Sequence, residues 1–386
     1  MLHWKQGEFN EQKGVRRMKV QKVWLALGLA LFAACGGPGG GGNQGGMSQQ
    51  EFGQALDEHT QTQQQVVQQL IQDPAFQAFL GNPMDGLSLE SLALAPFGGT
   101  LPGFFPFPGL RPLNHPSENH ALPRGGWDYT ADPNNPTPYD PRSPYDLGVK
   151  WTASGQVAEL LVDWDNGRAT LWPHDQSGQS WEAPQAAQAH MTLGDDEVGH
   201  ADFEATWYNC SAASTYILEP TRLAFSGYLG QTAQLNWDAS YQLTEGAQDR
   251  IQAALDLSTQ GTNPTSGLSL ELTLNGQLTR GANCFTQSFQ PQSGSFTLTS
   301  QVGSENMVFQ LQVTNVQWNP DGRPIRVDLN GYVDHNNQRA VSFSGYLDEE
   351  DLNGTDPCPG EDVTLTFRDG SVSLEAWLQD QGACRP

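Results

Sequence analysis

Alternation of apolar and polar residues is the feature that most constrains how this chain can fold. From about residue 147 to residue 378, apolar side chains recur at every second position, as in VFQLQVTNVQW and IRVDLNGYVD. Successive side chains of a strand point to opposite faces, so this period predicts strands with one buried and one solvated face. Short turn sequences separate the segments, which indicates antiparallel neighbours. Only residues 250–256, RIQAALD, fit a helical turn equally well.

These patterns predict a mainly β fold with an N-terminal helical segment. We expect a large antiparallel meander over residues 146–386, forming a curled sheet, a half-barrel or a barrel. The segment QVAELLVDWDNGRATLWP is typical of a hairpin, with Asn166 and Gly167 at its turn.

A five-residue pattern recurs in the predicted strands and puts a glycine at the centre of each. It reads FSGYL, LNGQL, LNGYV and FSGYL, with glycines at Gly227, Gly276, Gly331 and Gly345. Glycine weakens a strand unless it permits a bend or a close approach. One interpretation is that these glycines curl the sheet and clear a groove. The other is that they are ordinary β sequence in a glycine-rich chain, and their irregular spacing excludes a repeat protein.

Residues 48–82 predict an amphipathic helical segment. Ser48 and Glu51 form a capping box, and apolar residues follow at helical spacing with glutamines between them. Asp73 and Pro74 indicate a second helix start, and Gly81 a helix end. The segment either packs on the body of the protein or serves as a partner-binding or coiled-coil helix.

Prolines dominate the next segment, residues 83–145. Twelve of the 25 prolines lie between Pro96 and Pro144, and proline removes a backbone donor that helices and inner strands need. We therefore expect an extended, partly ordered linker, with a recognition role for its Pro-aromatic stretch as the alternative.

Charge limits the partners that the chain can have. Its formal net charge is −24, and a chain beginning at Cys35 would carry 13 basic and 41 acidic side chains. Such a surface repels phosphate backbones, so we expect no nucleic-acid partner. Cations and cationic partners would be attracted.

The N-terminal residues contain a positively charged stretch, with Arg16 and Arg17, and then an apolar run over residues 23–34 that ends at Cys35. The run is too short for a helix to span a bilayer of about 30 Å. Residues 18–35 resemble the signal of bacterial lipoproteins, although Phe32 stands where that family usually has leucine. The resemblance implies a start at Met18, removal of residues 1–34 as a signal peptide, and diacylglycerol and acyl chains, such as palmitate, on Cys35.

Residues 35–47 then form a lipidated cysteine with a glycine-rich tether. The resemblance implies a lipid-anchored protein of the cell envelope, and Gly36 after the cysteine favours the outer membrane or the cell surface. The order of anchor, helix and meander also loosely resembles outer-membrane lipoprotein receptors of the LolB type, without a shared motif. That likeness implies binding of an apolar or lipid cargo. The alternatives are an acidic surface or scaffold protein that binds glycan, calcium or another envelope protein, and, third, a secreted hydrolase.

Four cysteines remain after Cys35, and an even number in an exported protein predicts two disulfides with three possible connectivities. Cys358 and Cys384 bracket the hairpin predicted over residues 363–378, so we expect them to pair. Cys210 and Cys284 would form the second bridge.

Motifs for catalysis are missing from the sequence, which has no GxSxG, HExxH or P-loop. We therefore expect a binding protein rather than an enzyme, without a cofactor. Asp351, Asn353 and Asp356 are oxygen ligands on one short loop, so calcium is a possible ligand there. A solvated acidic turn is the alternative interpretation. The segment GDDEVGHADFE is a second acidic cluster, and the histidines show no pairing pattern.

Overall fold

The computed structural model describes residues 46–81, 124–133, 135–165, 184–210, 215–281, 286–353 and 358–380. The described chain is mainly β and forms one curled, mostly antiparallel sheet of 16 strands. This confirms the fold class predicted from the alternation. The strands are β1 (Gly125–Asp128), β2 (Thr137–Tyr139), β3 (Leu147–Ala153), β4 (Gln156–Asp163), β5 (Ala186–Leu193), β6 (Asp196–Cys210), β7 (Thr215–Leu229), β8 (Gln234–Thr244), β9 (Asp249–Gln260), β10 (Ser266–Arg280), β11 (Thr286–Val302), β12 (Glu305–Trp318), β13 (Pro324–His335), β14 (Gln338–Asp348), β15 (Val363–Phe367) and β16 (Gly370–Ser373).

Sheet topology follows the order of the chain. Each strand from β3 to β15 pairs with the next one in sequence, and every one of these pairings is antiparallel. The described strands therefore form a linear order, with β16 at one edge and β2 at the other. Residues 250–256 lie in β9, so the helical-turn alternative for them is wrong.

The described residues also form four helices: α1 (Gln49–Gln72), α2 (Pro74–Leu80), α3 (Glu349–Asn353) and α4 (Leu374–Asp380). The predicted caps of the first two are confirmed. The Oγ of Ser48 accepts from the backbone N–H of Glu51 at 3.2 Å, and Glu51 accepts from the backbone N–H of Ser48 at 2.7 Å. Pro74 begins α2 and Gly81 caps its end.

Helix α1 crosses the ends of several strands and forms hydrogen bonds to the turns and strands along its path. At its start the backbone N–H of Gln49 donates to Asp369, in the turn between β15 and β16, at 3.1 Å. Near its end Gln69 and the backbone of Asn263, between β9 and β10, exchange hydrogen bonds at 2.8 and 2.9 Å. Midway, the Nε2 of the fully buried His59 lies 2.7 Å from Ser300 Oγ on β11. The helix thus packs on the body of the protein, as one of the two interpretations predicts.

Asp73 lies between α1 and α2, and its carboxylate joins α2 to the turn between β7 and β8 by hydrogen bonds. It is 2% exposed, and its carboxylate caps α2 by accepting from the N–H of Ala75 at 2.9 Å. It also accepts from the backbone N–H groups of Gln231, Thr232 and Ala233, in the turn between β7 and β8, at 3.0, 2.7 and 2.9 Å. Burial alone would raise the pKa of Asp73, but these bonds outweigh it and lower the pKa below the ordinary 3.8.

The two largest hydrophobic clusters of the described residues lie on the inner face of the sheet, and a small third one joins Ala55 and Leu56 of α1 to Met307. The larger one joins Phe76 and Phe79 of α2 to β3–β11, and the second joins Phe52 of α1 to β12–β16 and α4. The N-terminal helices therefore contribute to both clusters, which explains why their apolar positions recur at helical spacing.

The proline-rich linker prediction needs correction at its C-terminal end. β1 and β2 lie within residues 83–145, and β1 pairs in parallel with β3, so the sheet begins before residue 146. Proline is tolerated because these strands are short and β2, which holds Pro138, lies at the edge. Residues 82–123 and the predicted turn at Asn166–Gly167 lie outside the described residues, as do residues 1–45, with the proposed signal peptide, Cys35 and most of the tether.

No helix among the described residues combines the length and the apolar character needed to cross a membrane.

Candidate functional site

An apolar pocket lies on the inner face of the sheet, where α2 approaches strands β4–β8. It measures about 600 Å³ when the space at its open mouth is included. Phe79 of α2 forms one wall, and Phe225 and Trp237 stack at 5.7 Å on another. Ala189 and Ala201, paired across β5 and β6, also line it. Small residues on adjacent strands leave this space, because larger neighbours would fill it.

One residue that lines the pocket has a buried polar atom without a hydrogen-bond partner among the described residues. The Nε1 of Trp237 is buried and has no hydrogen-bond partner among the described residues. Buried indole N–H groups ordinarily find an acceptor. The pocket is therefore bordered by a residue with a buried, unpaired donor, and its other walls are largely apolar.

A polar cluster lies on the same strands, and the period of two places its side chains on the face opposite Phe203 and the core. His190 on β5 and His200 on β6 are directly paired, and their Nδ1 atoms lie 3.3 Å apart. The Nδ1 of His190 lies 3.2 Å from Glu197 Oε2. Tyr228 on β7 donates from its hydroxyl to Glu197 Oε1 at 2.8 Å. These two imidazoles and one carboxylate are the side chains that could hold a metal ion here.

Hydrogen bonding sets the protonation states in this cluster. Burial opposes ionisation of Glu197, but the bonds from Tyr228 and His190 outweigh it and hold the pKa of the carboxyl below its usual range. Burial and the bond to Glu197 raise the pKa of Tyr228 to about 12. At neutral pH the pair is therefore a carboxylate with a neutral phenol donor.

The four pattern glycines occupy β7, β10, β13 and β14 and do not gather around one groove. A Cβ on any of them would lie under 3.0 Å from a backbone carbonyl of the neighbouring chain segment. At Gly227 and Gly331 it would also meet an aromatic ring on the paired strand, Trp237 and Phe343 respectively. The geometry indicates a close approach of backbone at four separate places in the sheet, so the glycines are more than ordinary β sequence, but it gives no support for a groove that they share.

The calcium prediction receives no support from the one predicted ligand whose side chain is described. Asp351 is 1% exposed, and its two oxygens accept from the backbone N–H groups of Asp348 at 3.0 Å and Gly360 at 2.9 Å. This carboxylate organises the local backbone, and its role as a calcium ligand stays a prediction. Asp356 and the side chain of Asn353 lie outside the described residues.

Cysteine pairing stays a prediction. Cys358 is 1% exposed and belongs to the cluster around α4. Cys284 and Cys384 lie outside the described residues, as does the side chain of Cys210 at the end of β6.

Similarity to known proteins does not assign the site. No family model matches this sequence, and searches of curated proteins and of solved structures found no significant match.

Proposed function

We propose that this protein is an exported, lipid-anchored protein of the cell envelope that binds the acyl chain of a lipid in its apolar pocket. The observation that carries the proposal is the pocket beside α2, with aromatic walls, small residues on two paired strands and the unpartnered Nε1 of Trp237. Apolar clefts with a few oriented polar groups are the usual form of small-ligand sites. The acidic surface makes nucleic acid an unfavourable partner. Within this proposal the protein acts by binding, without catalysis.

The membrane anchor is tested by Cys35→Ala. We expect the variant to leave the membrane fraction or to accumulate as an unprocessed precursor, because the acyl chains at about 0.8 kcal/mol per buried methylene supply the attachment. Cell fractionation and metabolic labelling with a fatty acid give the measurement. Cys358→Ala in the full chain is the control that should retain the label. Equal labelling and membrane association of the Cys35 variant would contradict the anchor.

The pocket is tested with Ala189→Leu, which places a larger side chain in the space beside Val162 and Trp237. We expect binding of a fluorescent fatty-acid analogue to weaken at least tenfold. The matched control is Ala224→Leu, since Ala224 lies on β7 opposite Glu204 and so belongs to the other face of the sheet. Thermal unfolding of both variants shows whether each remains folded.

Native mass spectrometry of the purified wild-type protein provides an independent readout, as a co-purifying lipid is expected. If no lipid is retained and Ala189→Leu and Ala224→Leu bind the analogue equally, the acyl-chain proposal is wrong. The acidic scaffold interpretation would then be the better one.

A further inference from the structure

We propose that His190, Glu197 and His200 form a binding site for a divalent transition-metal ion on the polar face of β5 and β6. The proposal goes beyond lipid binding, because a metal ion held by these polar side chains would not use the apolar walls of the pocket; His190 and His200 border that pocket, whereas Glu197 does not. It rests on the spacing of the three ligand atoms, on the groups that orient them and on the strand irregularity that brings them together.

Two distances between the ligand atoms match those expected around a tetrahedrally coordinated metal ion. Two ligands at about 2.0–2.1 Å from a metal, at the tetrahedral angle, lie about 3.3 Å from each other. The observed Nδ1–Nδ1 distance between His190 and His200 is 3.3 Å, and the Nδ1–Oε2 distance between His190 and Glu197 is 3.2 Å. All three ligand atoms lie within 4.8 Å of one another. An ion beside His190 Nδ1 could therefore contact all three protein atoms, with a fourth position left for another ligand.

A second layer of hydrogen bonds fixes these ligands. The Nε2 of His200 lies 2.7 Å from Asp202 Oδ2, and Gln188 donates to the other oxygen of Asp202 at 3.0 Å. A carboxylate on the far nitrogen is the usual way in which a metal-bound histidine is oriented. Tyr228 holds the second oxygen of Glu197. Both the imidazole and the carboxylate are thus positioned by groups outside the ligand set.

A β-bulge brings Glu197 and His200 to the same face. Residues three apart on a regular strand point to opposite faces. Here Thr192 pairs with Glu197 and Met191 pairs with Gly199, so Val198 is an extra residue on β6. The extra residue reverses the alternation, with Val198 buried in the core at 1% exposed. The bulge therefore places all three side chains on one face of the sheet, whereas a regular hairpin would put them on different faces.

The donor set selects the class of ion. Imidazole and carboxylate suit Zn²⁺, Ni²⁺, Cu²⁺ and Fe²⁺, whereas Ca²⁺ and Mg²⁺ prefer oxygen ligands. The side chains are 18%, 22% and 46% exposed for His190, His200 and Glu197, so an ion can reach them from solvent. The negative charge of the chain further attracts cations.

The test is calorimetric titration of the chelator-treated full chain with ZnCl₂. We expect one saturable site, at least tenfold weaker in His200→Ala, and weaker by about 10–100-fold in Asp202→Asn, where only the orienting carboxylate is changed. His335→Ala is the matched control and should bind as wild type does, since His335 lies in the β12–β14 region away from the cluster. Co²⁺ in place of Zn²⁺ should give the visible absorption of a tetrahedral site.

Several results would overturn the site. These are absence of saturable Zn²⁺ binding to the wild-type protein, unchanged affinity in a His200→Ala variant whose unfolding temperature matches wild type, and equal affinity for Ca²⁺. Glu197→Gln should weaken Zn²⁺ binding and leave fatty-acid binding intact, because Glu197 does not line the pocket. Failure of the metal site and failure of the acyl-chain proposal are therefore distinguishable.

Discussion

Replacement of Asp73 by alanine is expected to lower the free energy of unfolding by about 3 kcal/mol or more. The carboxylate is buried and accepts from four backbone N–H groups, of Ala75, Gln231, Thr232 and Ala233. Without it these donors lose their charged acceptor, and bonds to charged groups contribute about 1.5–3 kcal/mol each. Urea unfolding followed by circular dichroism gives the measurement. Asp321→Ala, at an exposed turn, should be nearly neutral.

Lowering the pH is expected to remove part of the same free energy of unfolding, because it protonates Asp73. The pKa of Asp73 is depressed in the folded state, so its stabilisation is complete above the ordinary value of 3.8 and disappears as the pH falls through the lower folded value. The pKa of His59 is lowered from 6.5, chiefly because burial penalises its charged form. The stability that depends on an uncharged His59 is therefore lost at higher pH than that of Asp73, as the pH falls below 6.5. We expect urea midpoints to decline in two ranges, with the lower decline reduced in Asp73→Ala, because Glu51, Asp128, Glu197 and Asp328 also have lowered pKa values. A single decline, unchanged in that variant, would contradict this assignment.

Gly331→Ala is expected to destabilise the fold by about 1–3 kcal/mol, the usual range for overpacking. Its new Cβ would lie under 3.0 Å from both the carbonyl of Gln310 and the ring of Phe343, so strands β12–β14 must shift. Gly345→Ala should behave similarly, since its φ of +152° adds backbone strain to a close carbonyl. The unfolding temperatures of the purified variants provide the measurement.

The matched control for these glycines is Gly267→Ala, also within a strand. The nearest atom to its Cβ would be the carbonyl of Leu257 at 3.8 Å, an ordinary contact. Alanine should therefore stabilise by about 0.5 kcal/mol by reducing the freedom of the unfolded chain. If Gly331→Ala and Gly345→Ala match this control, the recurring pattern is only common β sequence.

Sequence alone predicted the elements whose signals are local. The capping box at Ser48, the helix restart at Asp73 and the alternating strands all depend on neighbouring residues, and the structure confirms them. The parallel pairing of β1 with β3 was not predicted, because proline density argued against strands there and pairing with a non-adjacent strand has no local signature.

The His190–Glu197–His200 cluster was missed for a related reason. A two-residue turn at Gly194 and Asp195 would pair His190 with Gly199 in a regular hairpin. Only the bulge at Val198 moves the register by one residue and sets His190 opposite His200. A bulge depends on how Val198 packs in the core, which a single sequence does not reveal. The histidine spacing around an acidic turn was the available signal.

The path of α1 across the strand ends has a consequence for the order of folding. Strands β3–β16 can assemble by pairing each with its predecessor, which requires loops far shorter than those that α1 must close. The helix, although synthesised first, bonds to residues 194, 237 and 320 positions further along the chain. Loop closure over such distances is entropically unfavourable until the strands have formed. Helix α1 should therefore dock last, and the apolar surface around Phe52 stays uncovered until the C-terminal strands have been made.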